Sequence, residues 1–399
     1  MKDQLNIFGT EKITVAESID LTIASMKEYG TRHKHWAAAW SWGKDSTTVV
    51  TLITQLITTG QIPKPETFTI FAADTRMELP PLWISSQILT KQLEERGVKV
   101  RIVTAPIHDR FLVYILGRGV PPPSNTFRWC TGQIKVEPME AALAEFQRET
   151  DEKILMLTGV RLGESAIRDQ RINVSCSKDG AECGQGWYQE GLKNDMCSTL
   201  APILHWRVCN VWDWLKIFAP MEKYGGWNTS ILADAYGGDE AEEKNARTGC
   251  IGCPLASKDS ALDLILQIDK WKYLQPLKRL KPIYREMKKP LFRLRKPGGQ
   301  RKKDGTLQKN QQRMGPLTLI ARKYFLYQII SIQNEINLAA GKSDKPMIFL
   351  INTEERKAIE KMIKDEVYPN GWDGSEPVAS KPLDKMYSDG SVMKRLFYF

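Results

Sequence analysis

The sequence predicts an α/β fold: a parallel sheet with flanking helices, a cysteine-bearing insertion, and a basic, mainly helical C-terminal region. Short apolar runs that end in polar turns alternate with segments whose apolar residues recur at helical spacing. Buried strands that alternate with helices are joined by crossover connections and therefore form a parallel sheet. We expect a first domain over residues 1–255, with the insertion at about 169–210, and a second region over 256–399.

The expected elements of the first domain follow one another in order. Thr14 and Glu17 form a capping box at the start of an amphipathic helix that ends near Gly30. The predicted strands are His35–Trp40, Thr67–Ala73, Val98–Val103 and Ile154–Thr158, with further strand content around Leu200–Leu204. The predicted helices are Thr47–Ile57, Leu82–Leu93, Arg110–Leu116, Lys135–Arg148 and Val211–Phe218.

The C-terminal region has two predicted helices, Leu317–Ile336 and Thr353–Ile363. Thr353 is expected to cap the second helix, because a Thr side chain can accept a hydrogen bond from a backbone N–H of the first turn. Gly, Asp, Ser and Pro are frequent from Pro369 onward, which predicts that the tail is a loop.

Composition limits the class of protein. With 399 residues, 42% of them hydrophobic, the chain can bury a sizeable core. No apolar stretch approaches the roughly 20 residues that cross a bilayer, and the N-terminus lacks the pattern of a secretory signal. We therefore expect a cytoplasmic protein with no membrane partner. Seven cysteines are too few for a secreted disulfide scaffold, so metal ligation, redox chemistry or burial are the uses to weigh.

Positive charge is concentrated in one window, Lys270–Lys323. It holds 18 Lys or Arg against two acidic residues, Glu286 and Asp304, and aromatic residues are interleaved with the cations. This mixture is expected of a surface that binds phosphates and stacks on bases, but a solvated helix face with a flexible basic loop is an equal alternative. The candidate nucleic-acid contacts are Lys288, Lys289, Arg293, Arg295, Arg301, Lys302 and Lys303.

A polar turn joins the first predicted strand to the following helix, and we call its residues Ser41–Ser46 the phosphate loop. Free backbone N–H groups and the positive end of a helix dipole bind phosphate at such a position. The spacing of the loop, Ser-Trp-Gly-Lys-Asp-Ser, excludes a Walker A motif.

The phosphate loop resembles the S-G-G-x-D-S loop of ATP pyrophosphatases with the adenine nucleotide alpha hydrolase fold. Ser41, Gly43, Asp45 and Ser46 match, whereas Trp42 stands where the family has a second glycine. Either the loop bends with positive φ elsewhere, or the phosphates sit slightly higher. Three further stretches, 71–80, 128–138 and 158–168, are similar to motifs of the PAPS-reductase branch of this fold.

This resemblance implies that the loop holds the β- and γ-phosphates of ATP while a nucleophile attacks the α-phosphate, with Mg²⁺ as a second cofactor. Cationic side chains would stabilise the approach of two anions. The implied catalytic residues are Lys44, Asp45, Ser46, Arg128, Lys135 and Arg161. The implied ATP-binding residues are Ala39, Ser41, Trp42, Gly43, Lys44, Asp45, Ser46, Asp74, Gly159, Arg161, Glu164 and Arg168.

The cysteines distinguish members of the branch. Sulfonucleotide reductases carry a C-terminal Glu-Cys-Gly, but here the one such triplet is Glu182-Cys183-Gly184 and no cysteine follows Cys253. Reduction of a sulfonucleotide is therefore the runner-up. Cys130 with Cys250-x-x-Cys253 resembles DNA phosphorothioation sulfurtransferases of the DndC and SspD type.

The subgroup resemblance implies that ATP adenylates a DNA phosphate and that sulfur then displaces AMP. It also implies partners: DNA, a cysteine desulfurase or other sulfur donor, and further proteins of an antiviral modification system. A nucleotide-binding module of a defence complex, with little activity alone, is a third reading.

The cysteines also suggest metal sites. Cys130, Cys250 and Cys253 are candidate ligands of an iron–sulfur cluster. Cys176, Cys183 and Cys197 are candidates for a zinc site or a further cluster ligand, with His205 or Cys209 as a fourth group. Burial as a free thiol is the alternative for Cys209.

Overall fold

A computed structural model of the chain describes residues 13–163, 170, 187–190, 197–238, 249–296, 304–306, 312–387 and 389–394. Its contacts divide the chain into two compact units. The first comprises Met1–Ala73, Leu79–Val103 and Met139–Thr248, and the second comprises Asp74–Glu78, Thr104–Pro138 and Gly249–Phe399. The predicted boundary at residue 255 lies near the start of the last segment, whereas the two shorter segments of the second unit fall inside the predicted first domain.

The first unit is built on a six-stranded sheet. The strands are β1 (His35–Trp40), β2 (Thr67–Asp74), β3 (Lys99–Thr104), β4 (Ile154–Leu157), β5 (Trp187–Gln189) and β6 (Cys197–Ala201). Their order is β3-β2-β1-β4-β6-β5. β1 runs parallel to β2 and β4, β4 runs parallel to β6, and β5 runs antiparallel to β6. This mostly parallel sheet with flanking helices confirms the predicted fold class.

The helices of the described residues are α1 (Val15–Tyr29), α2 (Lys44–Thr58), α3 (Pro80–Glu95), α4 (Phe111–Arg118), α5 (Trp129–Thr131), α6 (Glu137–Thr150), α7 (Val208–Asp213), α8 (Ser230–Asp234), α9 (Ser260–Ile265), α10 (Leu280–Glu286), α11 (Leu319–Lys342) and α12 (Thr353–Lys364). Eight of them lie close to predicted helices, whereas the sequence did not predict the short helices α5, α8, α9 and α10. The capping box of Thr14 and Glu17 is present at the start of α1. The expected cap of α12 is wrong: the cap is Asn352, whose side chain accepts a hydrogen bond from the N–H of Glu355, so Thr353 is the first helical residue.

Strand β1 lies between β2 and β4 in the sheet and most of its side chains are buried, which explains its apolar composition. Trp36, Ala37 and Ala38 are fully buried, and Trp40 is 2% exposed. A parallel strand that is covered on both faces has no polar side to show. The phosphate loop leaves the carboxyl end of this strand, the edge where ligands of parallel sheets bind.

Helix α2 is fixed in its place by hydroxyl groups on its buried face. Thr47 Oγ1 accepts a hydrogen bond from the indole of Trp40 at 3.0 Å. One turn later, Thr51 Oγ1 accepts a bond from the indole of Trp214 at 2.9 Å. All four groups are buried, so each donor and acceptor is satisfied without water. The start of α2, and with it the phosphate loop, therefore has a rigid support.

The second unit contains helices and short antiparallel strands. β7 (Arg293–Arg295) pairs with β8 (Met314–Leu317), and β9 (Lys385–Met386) pairs with β10 (Val392–Met393). Residue Val378 also bridges to Leu294. The tail is therefore only partly the loop that its composition predicts, because it adds backbone pairing.

A buried cation organises the helices of the second unit. Arg322 of α11 is fully buried and donates hydrogen bonds to the carbonyl oxygens of Gly117 and Val367. Its guanidinium carbon also lies 4.1 Å from the centroid of the Tyr368 ring. Burial lowers the pKa of Arg322 to about 10. The Gly117 carbonyl lies at the end of α4, where the negative end of the helix dipole favours a cation.

A helix able to span a bilayer would have to be both long and strongly apolar, and no helix of the described residues meets both conditions.

Candidate functional site

The phosphate loop bends at Trp42. This residue has a φ of +61°, in the left-handed region that costs a non-glycine residue about 1–2 kcal/mol. Its indole is buried and packs edge-on against Trp40, with ring centroids 6.5 Å apart. The positive φ therefore lies on the tryptophan itself, at the position of the family's second glycine, and the expectation that it lies elsewhere is wrong.

Two serine hydroxyls hold the loop closed. The N–H of Ser41 donates to Ser46 Oγ at 3.2 Å, the two hydroxyls are 3.1 Å apart, and Ser46 Oγ lies 3.1 Å from the Gly43 carbonyl oxygen. Among the described residues, the backbone N–H groups of Asp45 and Ser46 have no hydrogen-bond partner. Two free N–H groups at the positive end of α2 are what a phosphate requires.

Gly159, the second residue after β4, lies directly against the start of α2, beside the backbone N of Ser46. A Cβ at this position would lie 2.7 Å from the backbone N of Ser46 and 2.8 Å from the carbonyl carbon of Asp45. Real Cβ atoms do not come so close to backbone, so only glycine permits this approach. The structure thus brings Gly159, one of the implied ATP-binding residues, together with the phosphate loop.

The carboxylate of Asp45 lies between two cations. Lys44 Nζ is 2.9 Å from Oδ2, and Arg161 Nε is 2.5 Å from Oδ1. Arg161 is 4% exposed, and its Nη1 also donates to the carbonyl oxygen of Trp206 at 3.2 Å. Three predicted site residues thus form one cluster beside the loop. Its carboxylate is neutralised, which reduces its repulsion of an incoming phosphate.

One contact of the loop comes from a residue that the sequence did not single out. The hydroxyl of Tyr236 accepts a hydrogen bond from the N–H of Lys44 at 3.0 Å, and Lys44 Nζ lies 5.4 Å from the centroid of the same ring. Tyr236 and Lys44 are 192 positions apart. No local pattern could have revealed this pair, because it depends on the tertiary fold.

The other predicted ATP-binding residues lie in strands β1 and β2 or outside the described residues. Ala39 lies in β1 opposite Phe71 of β2. Asp74 ends β2 and belongs to the second unit, where its Oδ1 accepts a hydrogen bond from the N–H of Arg76 at 2.8 Å. Glu164 and Arg168 lie outside the described residues.

The predicted cations Arg128 and Lys135 belong to the second unit and are both exposed. Arg128 precedes α5, and Lys135 lies on the π-helical turn Gly132–Val136. Lys135 is close enough to Cys250 to lower the pKa of that thiol against the stronger effect of burial. The charge of Lys135 therefore acts on the Cys250 thiol.

A partly buried acid in the second unit is also a candidate site residue that the sequence did not single out. Glu78 accepts hydrogen bonds from the hydroxyl of Thr75 at 2.5 Å and from the backbone N–H groups of Thr75 and Met77. Burial, with the charge of Asp74, raises the pKa of Glu78 to about 7, although the bonds from Thr75 oppose that shift. The Glu-Leu-Pro of the second motif is its only sequence signal.

Three predicted metal ligands, Cys130, Cys250 and Cys253, lie in the second unit as free thiols. The N–H of Cys253 donates to the carbonyl of Cys250 at 3.1 Å, and the turn between them has a positive φ at Gly252. Burial raises the pKa of Cys250 to about 12, and Glu78, Cys253 and Cys130 add to that rise. Cys130 and Cys253 are therefore close enough to Cys250 for their charges to affect its pKa.

These thiols suit an iron–sulfur cluster by type, since cluster ligands are thiolates. Within the described ranges, however, no three Cys, His, Asp or Glu side chains are arranged to hold a metal ion. The arrangement therefore does not fit a bound metal, although the residue types do.

The remaining cysteines differ from one another. Cys197 begins β6 and packs against the apolar cluster that includes Phe146 and Ile154, and burial raises its pKa. Its predicted partners Cys176 and Cys183 lie outside the described residues. Cys209 is exposed, so burial as a free thiol is wrong for this residue.

The predicted nucleic-acid surface is only partly available. Arg293 is 7% exposed, and its guanidinium donates to the carbonyl oxygens of Gly315 and Met314. This side chain supports the fold, so the prediction that it contacts DNA is wrong. Lys288 is half-buried and donates to the Pro123 carbonyl at 2.8 Å, and Arg295 is half-buried. Lys289 is exposed. The described ranges do not include Arg301, Lys302 and Lys303.

The parallel sheet and its phosphate loop define an α/β domain of the kind that binds nucleotides. Residues 35–217 match the family model described as the phosphoadenosine phosphosulfate reductase domain. This stretch contains the phosphate loop and the three further motifs. The comparison with curated proteins gives no match.

Among solved structures, the chain is similar to phosphoadenylyl-sulfate reductase from Candida auris in its phosphate complex, at 12% identity, with 53% of this chain and 90% of that chain covered and a TM-score of 0.33. A second is the U34-tRNA thiolase NcsA from Methanococcus maripaludis with its [4Fe-4S] cluster, at 14% identity, 70% and 81% coverage, and a TM-score of 0.34. A third is FMN adenylyltransferase from Candida glabrata with FMN and an ATP analog, at 13% identity, 57% and 61% coverage, and a TM-score of 0.31.

Proposed function

We propose that the protein is an ATP pyrophosphatase that activates a phosphate group by adenylation. The observation that carries this proposal is the phosphate loop, in which the N–H groups of Asp45 and Ser46 are free at the start of α2. A pyrophosphate group placed there accepts hydrogen bonds from both and lies at the positive end of the helix dipole.

The cations beside the loop favour this chemistry. Lys44 and Arg161 already contact the Asp45 carboxylate, so the loop presents positive charge near the bound phosphates. In the proposed reaction, an oxygen of the substrate phosphate attacks the α-phosphorus of ATP. The α–β bond breaks and pyrophosphate leaves with the bonding electrons, which makes stabilisation of its negative charge the main task of the protein.

Mg²⁺ is the proposed second cofactor. This ion is usually held by one or two carboxylates together with the phosphates of the substrate. The Asp45 side chain lies at the loop and is 15% exposed. Its carboxylate can supply such a ligand when Lys44 Nζ moves away from Oδ2. Mg²⁺ would then offset charge on the leaving pyrophosphate.

The proposed substrate is a DNA phosphate. Hydrosulfide delivered by a partner protein then attacks the adenylated DNA phosphorus, so that the P–S bond forms as the P–O bond to AMP breaks, which gives a phosphorothioate. Exposed Lys289 and the half-buried Arg295 support a nucleic-acid surface on the second unit. Cys130, Cys250 and Cys253 are the proposed thiols for handling sulfur. The proposed reaction does not involve a cluster, because the described side chains are not arranged to hold one.

Sulfonucleotide reduction is the second candidate, because the matched family model bears that description. A third is a nucleotide-binding module that turns over ATP only with its partners. These alternatives are separated by incubating the protein with ATP, Mg²⁺ and either DNA or a sulfonucleotide. AMP and pyrophosphate that increase with DNA support the proposal, whereas release of sulfite from a sulfonucleotide supports the reductase.

DNA binding itself is tested by its salt dependence. Each phosphate contact releases a counterion, so affinity should fall steeply as salt rises. Lys289→Gln should weaken binding to every sequence and reduce the salt slope by about one. Lys345→Gln, at another exposed lysine of the same unit, is the control. An unchanged slope in Lys289→Gln would remove Lys289 from the proposed surface.

A further inference from the structure

Helix α2 receives its N-terminal cap from a distant residue. The capping position is Gly43, which has no side chain to accept a hydrogen bond. The first N–H of the helix, that of Lys44, is instead satisfied by the hydroxyl of Tyr236 at 3.0 Å. The next two N–H groups, of Asp45 and Ser46, have no partner among the described residues. One of three consecutive amides at the phosphate loop is therefore occupied by a protein group.

The ring of Tyr236 is buried beside the loop. Its side chain is 3% exposed and its ring packs edge-on against Trp212, with centroids 5.0 Å apart. The ammonium of Lys44 lies over the same ring, 5.4 Å from its centroid. A Cβ at residue 43 would lie only 3.2 Å from the hydroxyl, so glycine at this position also admits the tyrosine.

We infer that the Tyr236 hydroxyl competes with a phosphate oxygen for the N–H of Lys44 and thereby lowers the affinity of the loop for pyrophosphate. This positioning role rests on the proposed function, because it concerns the leaving group of that reaction. An anionic oxygen is a stronger acceptor than a phenol. Exchange of the two acceptors is therefore favourable, but part of the binding energy is used to displace the hydroxyl.

The consequence concerns product release. A loop with three free N–H groups would bind pyrophosphate more tightly than this one, and tight product binding slows turnover when release limits the rate. A tyrosine that returns to the Lys44 N–H helps pyrophosphate to leave. The same contact reduces the affinity for ATP by a comparable factor, because both ligands present phosphate oxygens to the loop.

The test is Tyr236→Phe, which keeps the ring against Trp212 and Lys44 and removes only the hydroxyl. Pyrophosphate binding is measured by titration calorimetry in the full chain with Mg²⁺. The expected result is about three- to tenfold tighter binding than in the wild type, the equivalent of one net hydrogen bond. Tyr224→Phe is the matched control, because that ring packs against Trp214 and Phe218 and the variant should bind as the wild type does.

Unchanged or weaker binding in Tyr236→Phe overturns the inference, and so does a failure of both proteins to bind pyrophosphate. Weaker binding would mean that the hydroxyl supports the loop or contacts phosphate directly. Failure of the proposed function looks different: pyrophosphate binds and responds to Tyr236→Phe, yet ATP gives ADP and phosphate. A merely structural role for Tyr236 would lower the melting temperature without tightening binding.

Discussion

Gly159→Ala tests how closely the phosphate loop depends on the strand beside it. The added Cβ would lie 2.7 Å from the backbone N of Ser46, and ordinary contacts begin at 3.4 Å, so the loop must move by about 0.7 Å. Both contacting atoms belong to backbone at the start of α2, which Trp40 and Trp214 hold in place. The loop cannot move without disturbing those bonds.

The expected cost appears mainly in activity. Overpacking of this kind costs about 1–3 kcal/mol of stability, and a misplacement of about 1 Å can cost about 100-fold in rate. We expect kcat/KM for pyrophosphate release to fall between about tenfold and 100-fold while the protein still folds. Coupled-enzyme detection of pyrophosphate and a thermal melt measure the two effects. Gly341→Ala, where a Cβ meets nothing within 4 Å, is the control. Wild-type activity in Gly159→Ala would refute the assigned position of the loop.

Three further predictions follow from buried charges and thiols. Arg161→Met should destabilise the fold by about 2 kcal/mol in urea denaturation, because it removes a charged hydrogen bond to Asp45, which keeps Lys44 as a partner; a loss below about 0.5 kcal/mol would contradict this. The pKa of Glu78 is raised by burial to about 7, so the stability it contributes is fully present below its ordinary pKa of 4.5 and is lost as the pH rises through about 7. The melting temperature of the wild type should therefore fall from pH 5 to pH 8 relative to Glu78→Gln, and identical pH profiles would exclude the effect. Because burial raises the pKa of Cys250 to about 12, iodoacetamide at pH 8 should label exposed Cys209 well before Cys250, as followed by mass spectrometry, and the reverse order would show an activated Cys250 thiol.

The fold, and the strand and helix on either side of the phosphate loop, could be predicted from the sequence because their signals are local. The apolar run of β1 is followed at once by a polar turn and by the helical pattern of α2. Thr14 and Glu17 identify the start of α1 for the same reason, since both partners of the capping box lie within one turn.

Other features were inaccessible because they depend on distant parts of the chain or contradict residue preference. A positive φ is expected of glycine, so a tryptophan at position 42 argued against a bend there, although the resembling loops have a glycine at that position. Tyr236 reaches the loop only through tertiary packing. A count of positive charges cannot separate Arg293, which is buried against backbone carbonyls, from exposed Lys289.

Product analysis of ATP turnover tests the central claim most directly. The protein is incubated with ATP and Mg²⁺, with and without DNA, beside Ser46→Ala and the control Ser85→Ala. Ser46 Oγ bonds Ser41 and Gly43, whereas the hydroxyl of Ser85 has no partner among the described residues. We predict AMP and pyrophosphate in equal amounts from the wild type and Ser85→Ala, and loss of both products in Ser46→Ala. ADP and phosphate as the products would contradict the account.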